Sequence, residues 1–335
     1  MDEFSFMDFD LLEVARNSCF SVVDLALENL ELYDFSVDSQ DENGNTLLHY
    51  AAATGNLETA NKLITLGAYT NILNNKGQTP LHVACLHAQL PIAELLVKNG
   101  ANINVTDFSK ETPVFKAVRG GNKNLTKFIL SKGAIVNRYN KINEGLLHLA
   151  VMHDDIELVK LLLDNEEDPN ELTNAEGTTP LHLATELNDA PMVSLLIDNK
   201  AYLNMEDMDG YTPLHVAAGT RDSLEILKIL TANGAKCDAK NFNGDLPIHV
   251  AAGSGNIEAF IFLYKKSESG ATNKIGLTAT QVVEMNGDPV MLRLLAELDR
   301  NNNSGIPVPV LKIPRRSRRR SSSVRFSLNA TYVKD

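Results

Sequence analysis

Apolar residues recur along this chain in short runs at helical spacing, and the runs come in pairs. Leu81, Ala84 and Cys85 mark the inward stripe of one kind of run. Ile156-Glu-Leu-Val-Lys-Leu-Leu-Leu163 is the other kind, amphipathic throughout. The punctuation between runs is regular. A Thr opens the first run as an N-cap whose hydroxyl accepts an orphan backbone N–H, and Pro follows at N1, where its missing donor costs nothing. Gly55, Gly121 and Gly255 close the first helix in a conformation that favours no Cβ. Gly-Ala at 67–68, 100–101, 133–134 and 234–235 stops the second helix and starts an extended turn. One helix pair cannot bury its own apolar face, so neighbouring pairs must stack.

The pairs share a period. Thr-Pro-Leu-His stands at Thr79–His82, Thr179–His182 and Thr212–His215. Close variants are Thr46–His49, Gly145–His148 and Leu246–His249; weaker copies are Thr112-Pro-Val-Phe115 and Thr278-Ala-Thr-Gln281. The fourth positions fall at 49, 82, 115, 148, 182, 215, 249 and 281, in steps of 32 to 34. A Gly precedes the motif at 44, 77, 177, 210, 244 and 276.

Period, motif and glycine placement resemble the ankyrin repeat, from about Asp10 to Asp299. The resemblance implies an all-α fold, an ankyrin-repeat α-solenoid of helix-turn-helix units with β-turn tips. It implies a protein-interaction scaffold or adaptor whose partners dock on turn tips and first helices along a concave face. Residues 1–9 read as an acidic N-terminal extension, and about 10–300 as the repeat domain. Within it, a degenerate N-capping repeat covers about 10–40, built on Leu11-Leu-Glu-Val-Ala-Arg-Asn17 and Ser21-Val-Val-Asp-Leu-Ala-Leu27. Further repeats start near 41, 74, 107, 140, 174, 207 and 241, and 273–300 is a C-capping repeat. Residues 301–335 read as a linker and a basic Arg/Ser-rich tail.

Several repeats depart from the pattern. The third has Phe115 for the motif His and Lys110 for the turn Gly. The fourth has Asn143 at the turn, Gly145 as a poor cap, and Glu166-Glu167-Asp168-Pro169 where Gly-Ala is expected. Asp154 and Arg221 stand where a helix-ending Gly belongs.

Charge divides the chain. The whole carries −12, but from Pro307 onward eight basic residues face only Asp335, giving +7 and leaving −19 for the preceding 306 residues. An acidic body of that size repels phosphates, so no direct nucleic-acid contact is expected of it. Three cysteines without CxxC spacing exclude a dense disulfide scaffold and a thiolate zinc site. No apolar run approaches the ~20 residues of a membrane span. The expectation is a monomer of the cytoplasm, with the nucleus as the second location, and no cofactor.

Candidate chemistry is sparse. Phosphate-loop, zinc-protease and nucleophile-elbow motifs are missing, so no enzyme is expected. The motif histidines His49, His82, His148, His182, His215 and His249 lie one repeat apart, too far for shared metal ligation. They read as structural groups bridging the backbone of adjacent turns. Asp154-Asp155 and Glu166-Glu167-Asp168 lack the alternating ligands of a calcium loop and read as solvated turns. Partner binding is assigned to positions the fold does not need. On the tips these are Lys76, Phe108, Ile142, Met208 and Phe242, with Tyr211 just after the turn glycine. On the first helices they are Leu86, His87, Arg119, Met152 and His153. Phe108, Met208 and Phe242 share one repeat position, where a large apolar side chain has little structural purpose.

The tail Pro314-Arg-Arg-Ser-Arg-Arg-Arg-Ser-Ser-Ser-Val-Arg-Phe326 supports several readings. It resembles a nuclear-import segment, and a kinase substrate modified at Ser321, Ser322 and Ser323. Val324-Arg-Phe326 resembles a type-1 phosphatase docking motif, though Ser322 and Ser323 stand where a basic residue is wanted. The alternative to a plain scaffold is therefore a targeting subunit of an enzyme such as a protein phosphatase, or a nuclear regulatory cofactor.

Overall fold

A computed structural model describes residues 10–28, 35–136, 139–172, 176–268 and 270–304, the last six without side-chain detail. Among these residues the regular structure is eighteen α-helices and no strand; one isolated bridge joins Thr272 to Thr278. The helices fall into two compact units, divided between Tyr202 and Leu203.

The first unit holds six helix pairs. They are α1 (Leu11–Arg16) and α2 (Phe20–Leu27), α3 (Leu47–Thr54) and α4 (Leu57–Thr65), and α5 (Pro80–Leu86) and α6 (Leu90–Lys98). Then follow α7 (Pro113–Arg119) and α8 (Lys123–Ser131), α9 (Leu146–Met152) and α10 (Ile156–Leu163), and α11 (Pro180–Glu186) and α12 (Ala190–Asp198). First helices stack in the order α1, α3, α5, α7, α9, α11, and second helices stack alongside. The second unit repeats this with α13 (Pro213–Gly219) and α14 (Leu224–Ala232), α15 (Pro247–Ser254) and α16 (Ile257–Tyr264), and α17 (Ala279–Asn286) and α18 (Pro289–Ser304). Helix α18 runs four residues beyond the boundary expected at 300, so the linker assigned to 301–335 begins as helix.

Helices of seven to nine residues are too short to persist alone, and their stability comes from stacking. Each repeat contributes the same buried set. Leu81, Ala84, Cys85, Ile92, Ala93 and Leu96 are almost fully enclosed in one, and Leu214, Ala217, Ala218, Ile226, Leu227 and Leu230 in another. Small residues at the Ala positions let first helices approach closely, while Leu and Ile fill the space beneath.

Residues in the left-handed region punctuate every repeat. Where glycine is missing, Lys110, Asn143, Asp154 and Glu166 adopt that conformation themselves, at φ of 60°, 62°, 55° and 64°. In the sixth repeat the left-handed residue is Asp222 (φ 58°), not Arg221. It comes seven residues after the motif His215, against six between His49 and Gly55, so this repeat is one residue longer.

Candidate functional site

The turn tips are built by two hydrogen-bond ladders. The first is an Asp or Asn column at 41, 74, 107, 140, 207 and 241. Each Oδ1 accepts the backbone N–H groups two and four residues on, as Asp107 does from Ser109 (2.8 Å) and Glu111 (2.9 Å). The second runs between repeats. The amides of Asn75, Phe108 and Lys141 donate to the carbonyls of Asn43, Lys76 and Ser109 in the first unit. In the second unit Phe242 and Lys274 donate to Asp209 and Asn243. The tips are therefore welded edge to edge by backbone bonds.

The motif histidines tie each first helix to the next turn. The amide of Thr46 donates to His49 Nδ1 at 3.1 Å, which fixes the tautomer; His49 Nε2 then donates to the carbonyl of Gln78 in the next repeat at 3.0 Å. Four others bridge in the same way: His82 to Glu111, His148 to Thr178, His215 to Asp245 and His249 to Leu277, at 2.9–3.2 Å. His182 shares the local bond to its Thr179 amide at 3.2 Å. Burial makes the charged imidazole costly, and His82, His148 and His215 are all pushed down to about 4. These rings are neutral struts at pH 7.

Against this scaffold the partner-binding candidates separate. Phe108, Ile142, Met208 and Phe242 are 60%, 59%, 65% and 56% exposed on their tips, and Lys76 is exposed on its own. Phe108 and Phe242 also have a structural task. Each ring stands on the glycine of the preceding tip: a Cβ on Gly77 would lie 2.6 Å from Phe108 Cδ1, and one on Gly210 equally close to Phe242 Cδ1. With φ of +73° and +80°, those glycines are required by both backbone and neighbour. One face of each ring is thus seated and the rest faces water.

The helix candidates are more mixed. His87 and His153 are exposed C-caps of α5 and α9, and Leu86 and Met152 are half-buried on the preceding turns. Tyr211 is half-buried, packed edge-on against His215 with centroids 5.6 Å apart. Arg119 is engaged inside the array: it pairs with Glu111 and lies 3.9 Å from Glu144. Phosphorylation candidates Ser321, Ser322 and Ser323, the rest of the tail and residues 1–9 lie outside the described residues.

Repeat three carries an ionic cluster that the sequence did not announce. Lys116, only 6% exposed, pairs with Asp107 at 2.7 Å and Glu111 at 2.5 Å. Burial alone would raise the Glu111 carboxyl, but Lys116 and Arg119 outweigh it and hold it below the ordinary range. Phe115, with no exposed surface, cannot act as the motif His does. The buried Thr112 hydroxyl is left without a partner.

Repeat four contains a correction. Glu167 was expected in a solvated turn, yet it is 3% exposed and Glu171 7%. Asp154 is exposed as expected; Asp155 caps α10 through the Leu158 amide and pairs with Lys123 at 2.9 Å. Glu186, on the first helix of repeat five, is half-buried; burial and then Glu176 push it up to about 7.

The repeat grammar has a counterpart in known proteins. A family model for ankyrin repeats, three copies per match, fits residues 11–107, 105–171 and 147–241. The chain belongs to the ankyrin-repeat family. Among solved structures, the ankyrin repeat domain of Bcl-3, described as a unique member of the IkappaB protein family, shares 30% identity at TM-score 0.59. The match covers 67% of this chain and 100% of that one. The human ASB11 ankyrin repeat domain shares 28% identity at TM-score 0.57, covering 65% of this chain and 98% of that one. No curated protein sequence matches the chain significantly. Ankyrin repeats serve protein–protein interaction. Among the described residues no group of three or more His, Cys, Asp or Glu is arranged to hold a metal, and no helix is long and apolar enough to cross a membrane.

Proposed function

We propose that this ankyrin-repeat chain is a non-catalytic scaffold or adaptor that binds a protein partner on its turn tips and first helices. One observation carries the reading: Phe108, Met208 and Phe242 occupy the same repeat position and keep more than half their surface in water. Large apolar side chains displayed at one repeat position on pre-formed turn tips are the anchors interfaces use, because little ordering is lost on binding. The seat on the preceding glycine adds to this, since a ring held on one face has fewer rotamers to lose.

The basic tail is proposed as a charge-regulated arm. Each phosphate on Ser321, Ser322 or Ser323 would add about −1.5 to −2 charges, so two remove roughly half of the tail's positive charge. The test compares proteins captured by the wild type, by a Phe108→Ser, Met208→Ser, Phe242→Ser variant, and by a chain ending at 306. The variant should keep its helical circular dichroism and lose a defined set of partners by more than about tenfold, or 1.4 kcal/mol. An unchanged partner set would remove the tips from the interface. A tail-dependent set containing a phosphatase would favour a targeting subunit, and one of import receptors a nuclear regulator.

A further inference from the structure

The fourth repeat breaks the array's own rule at a buried position. Most second helices end in a left-handed residue followed by a small one: Ala68, Ala101, Ala201 and Ala235 are each 7–8% exposed, and Ala134 is half-buried. In the fourth repeat Glu166 takes the left-handed place and Glu167 the alanine's. Both Glu167 carboxyl oxygens are buried without a hydrogen-bond partner, and so is Oε2 of Glu171. A second departure makes room for them. The N-cap is Thr in most other repeats and Leu246 in the seventh but Gly145 here, and a Cβ at that position would collide with Glu171 Oε2. The two substitutions fit each other: a carboxyl enters and the threonine side chain withdraws.

Among the described residues the surroundings supply no positive charge. Within the loop, Glu171 and Asp168 act on Glu167, and both are acidic. From the turn before α9, the Tyr139 phenol lies beside Glu171, and burial with that carboxyl pushes it up to about 12. Glu144, on the same turn, is engaged with Asn140 at 2.9 Å. From α9 itself come the Leu146 amide, near Glu167 but not in bonding geometry, and the neutral His148. From α11, His182 acts on His148. The loop after α12 contacts this segment through its backbone: the Lys200 carbonyl accepts from Asn170 Nδ2, and the Tyr202 amide donates to Asn170 Oδ1.

Among the described residues Glu167 meets neither cation nor hydrogen-bond donor, and Glu171 meets only the Tyr139 hydroxyl, so two carboxyls this buried are tolerable only when protonated. We propose that Gly145, Glu167 and Glu171 form a proton-operated latch, which holds the 166–172 loop against the start of α9 while the carboxyls are protonated and releases it when they ionise. Burial, then mutual repulsion, pushes Glu167 up to about 8; burial outweighs the opposing Tyr139 hydrogen bond and, with Asp168, takes Glu171 to about 7. Groups raised in this way contribute stability that is complete below the unfolded carboxyl range near 4.5 and is lost as pH rises through 7 and 8. The latch therefore works across neutrality.

The test is hydrogen exchange on the full chain between pH 6 and 9, corrected for the intrinsic pH dependence of amide exchange. In the wild type, protection of 166–172 and of the Leu146–His148 amides should fall by at least roughly tenfold across this range, the effect of one pKa unit. A Glu167→Gln, Glu171→Gln variant carries neutral side chains at every pH, and its protection should stay flat. Glu167→Ala, which restores the array's own residue, provides a second variant that folds by the same rule and should lose the Glu167 part of the response, keeping the smaller fall near pH 7 that Glu171 causes. Constant wild-type protection, a loss in the double variant equal to that of the wild type, or an undiminished loss in Glu167→Ala would overturn the latch.

Discussion

Thr79 and Thr112 open α5 and α7 with the same side chain in the same backbone conformation, at φ of −85° and −86°. Both are fully buried. They differ in what the hydroxyl meets. Thr79 Oγ1 lies 2.9 Å from His82 Nδ1 and accepts the His82 amide at 3.4 Å, whereas Thr112 Oγ1 has no partner because Phe115 stands where the imidazole would be. Substituting valine removes the hydroxyl and keeps the shape. Thr79→Val deletes one side of an intact network and should cost about 1–2 kcal/mol. Thr112→Val deletes a group that has already lost its water without compensation, so it should be neutral or stabilising by up to about 1 kcal/mol. The two variants should thus differ by roughly 2 kcal/mol from one chemical change. Urea unfolding followed by far-ultraviolet circular dichroism measures this, provided the slope with denaturant is unchanged, since a changed slope reports a different denatured or native state. Equal destabilisation of both variants would refute the reasoning. The threonine would then act through helix capping or rotamer restriction alone, and the histidine bond would contribute nothing separable.

The histidine struts give a further expectation. His215→Ala orphans the Thr212 amide and the Asp245 carbonyl and should lower stability by about 2–4 kcal/mol without changing partner affinity well below the melt. Since the struts at 82, 148 and 215 are pushed down to about 4, their contribution is complete above the ordinary imidazole range near 6.5; melting temperatures should fall steeply as pH drops from there toward 4. Gly77→Ala should cost more than about 1 kcal/mol, because φ of +73° and the Phe108 ring both oppose a Cβ, while Lys110→Gly should gain a few tenths to about 1 kcal/mol in a melt. Lys116→Met leaves Asp107 and Glu111 facing each other without their shared cation and should cost about 3–5 kcal/mol in denaturant titration; a neutral result would show that the cluster is hydrated.

The period, caps and helix pairs were legible because they follow from local rules: threonine before proline, glycine after the last turn, apolar residues at helical spacing. The histidine struts were legible as well, since their spacing forbade a shared metal site and left a structural task. Non-local matters were not. The Asp and Asn column at 41, 74, 107, 140, 207 and 241 was visible as an alignment of the repeats with one another, but its bonds run to backbone groups that the motif does not name. Phe108 and Phe242 read as free anchors because no local rule says that a ring will stand on a glycine about thirty residues earlier. Arg119 read as groove-facing because its partners, Glu111 and Glu144, come from two different turns. Glu167 was misread for a plainer reason: an acidic run is normally hydrated. Its register with Ala68, Ala101, Ala201 and Ala235 was the signal that it would be buried.

The departures in repeats three and four share a logic that neither shows alone. In repeat three the strut from first helix to next turn is lost with the histidine, and charge replaces it. Asn140 Nδ2 reaches Glu111 Oε1 at 3.4 Å, and Arg119 spans from Glu111 toward Glu144, so the third and fourth turns remain tied. In repeat four the strut survives through His148, but the threonine is lost, and carboxyl groups fill its space. The first set is cationic at its centre, with Lys116 between two acids. The second, among the described residues, has only acids. A cluster with matched charges keeps its bonds across the neutral range, whereas an unmatched one depends on bound protons. Rising pH should therefore loosen the array first at the 166–172 loop, with the neighbouring repeat-three cluster intact. Falling pH acts elsewhere, through imidazoles that must accept protons inside the stack. The stretch with the poorest match to the repeat motif is thus also where the array's response to pH changes sign.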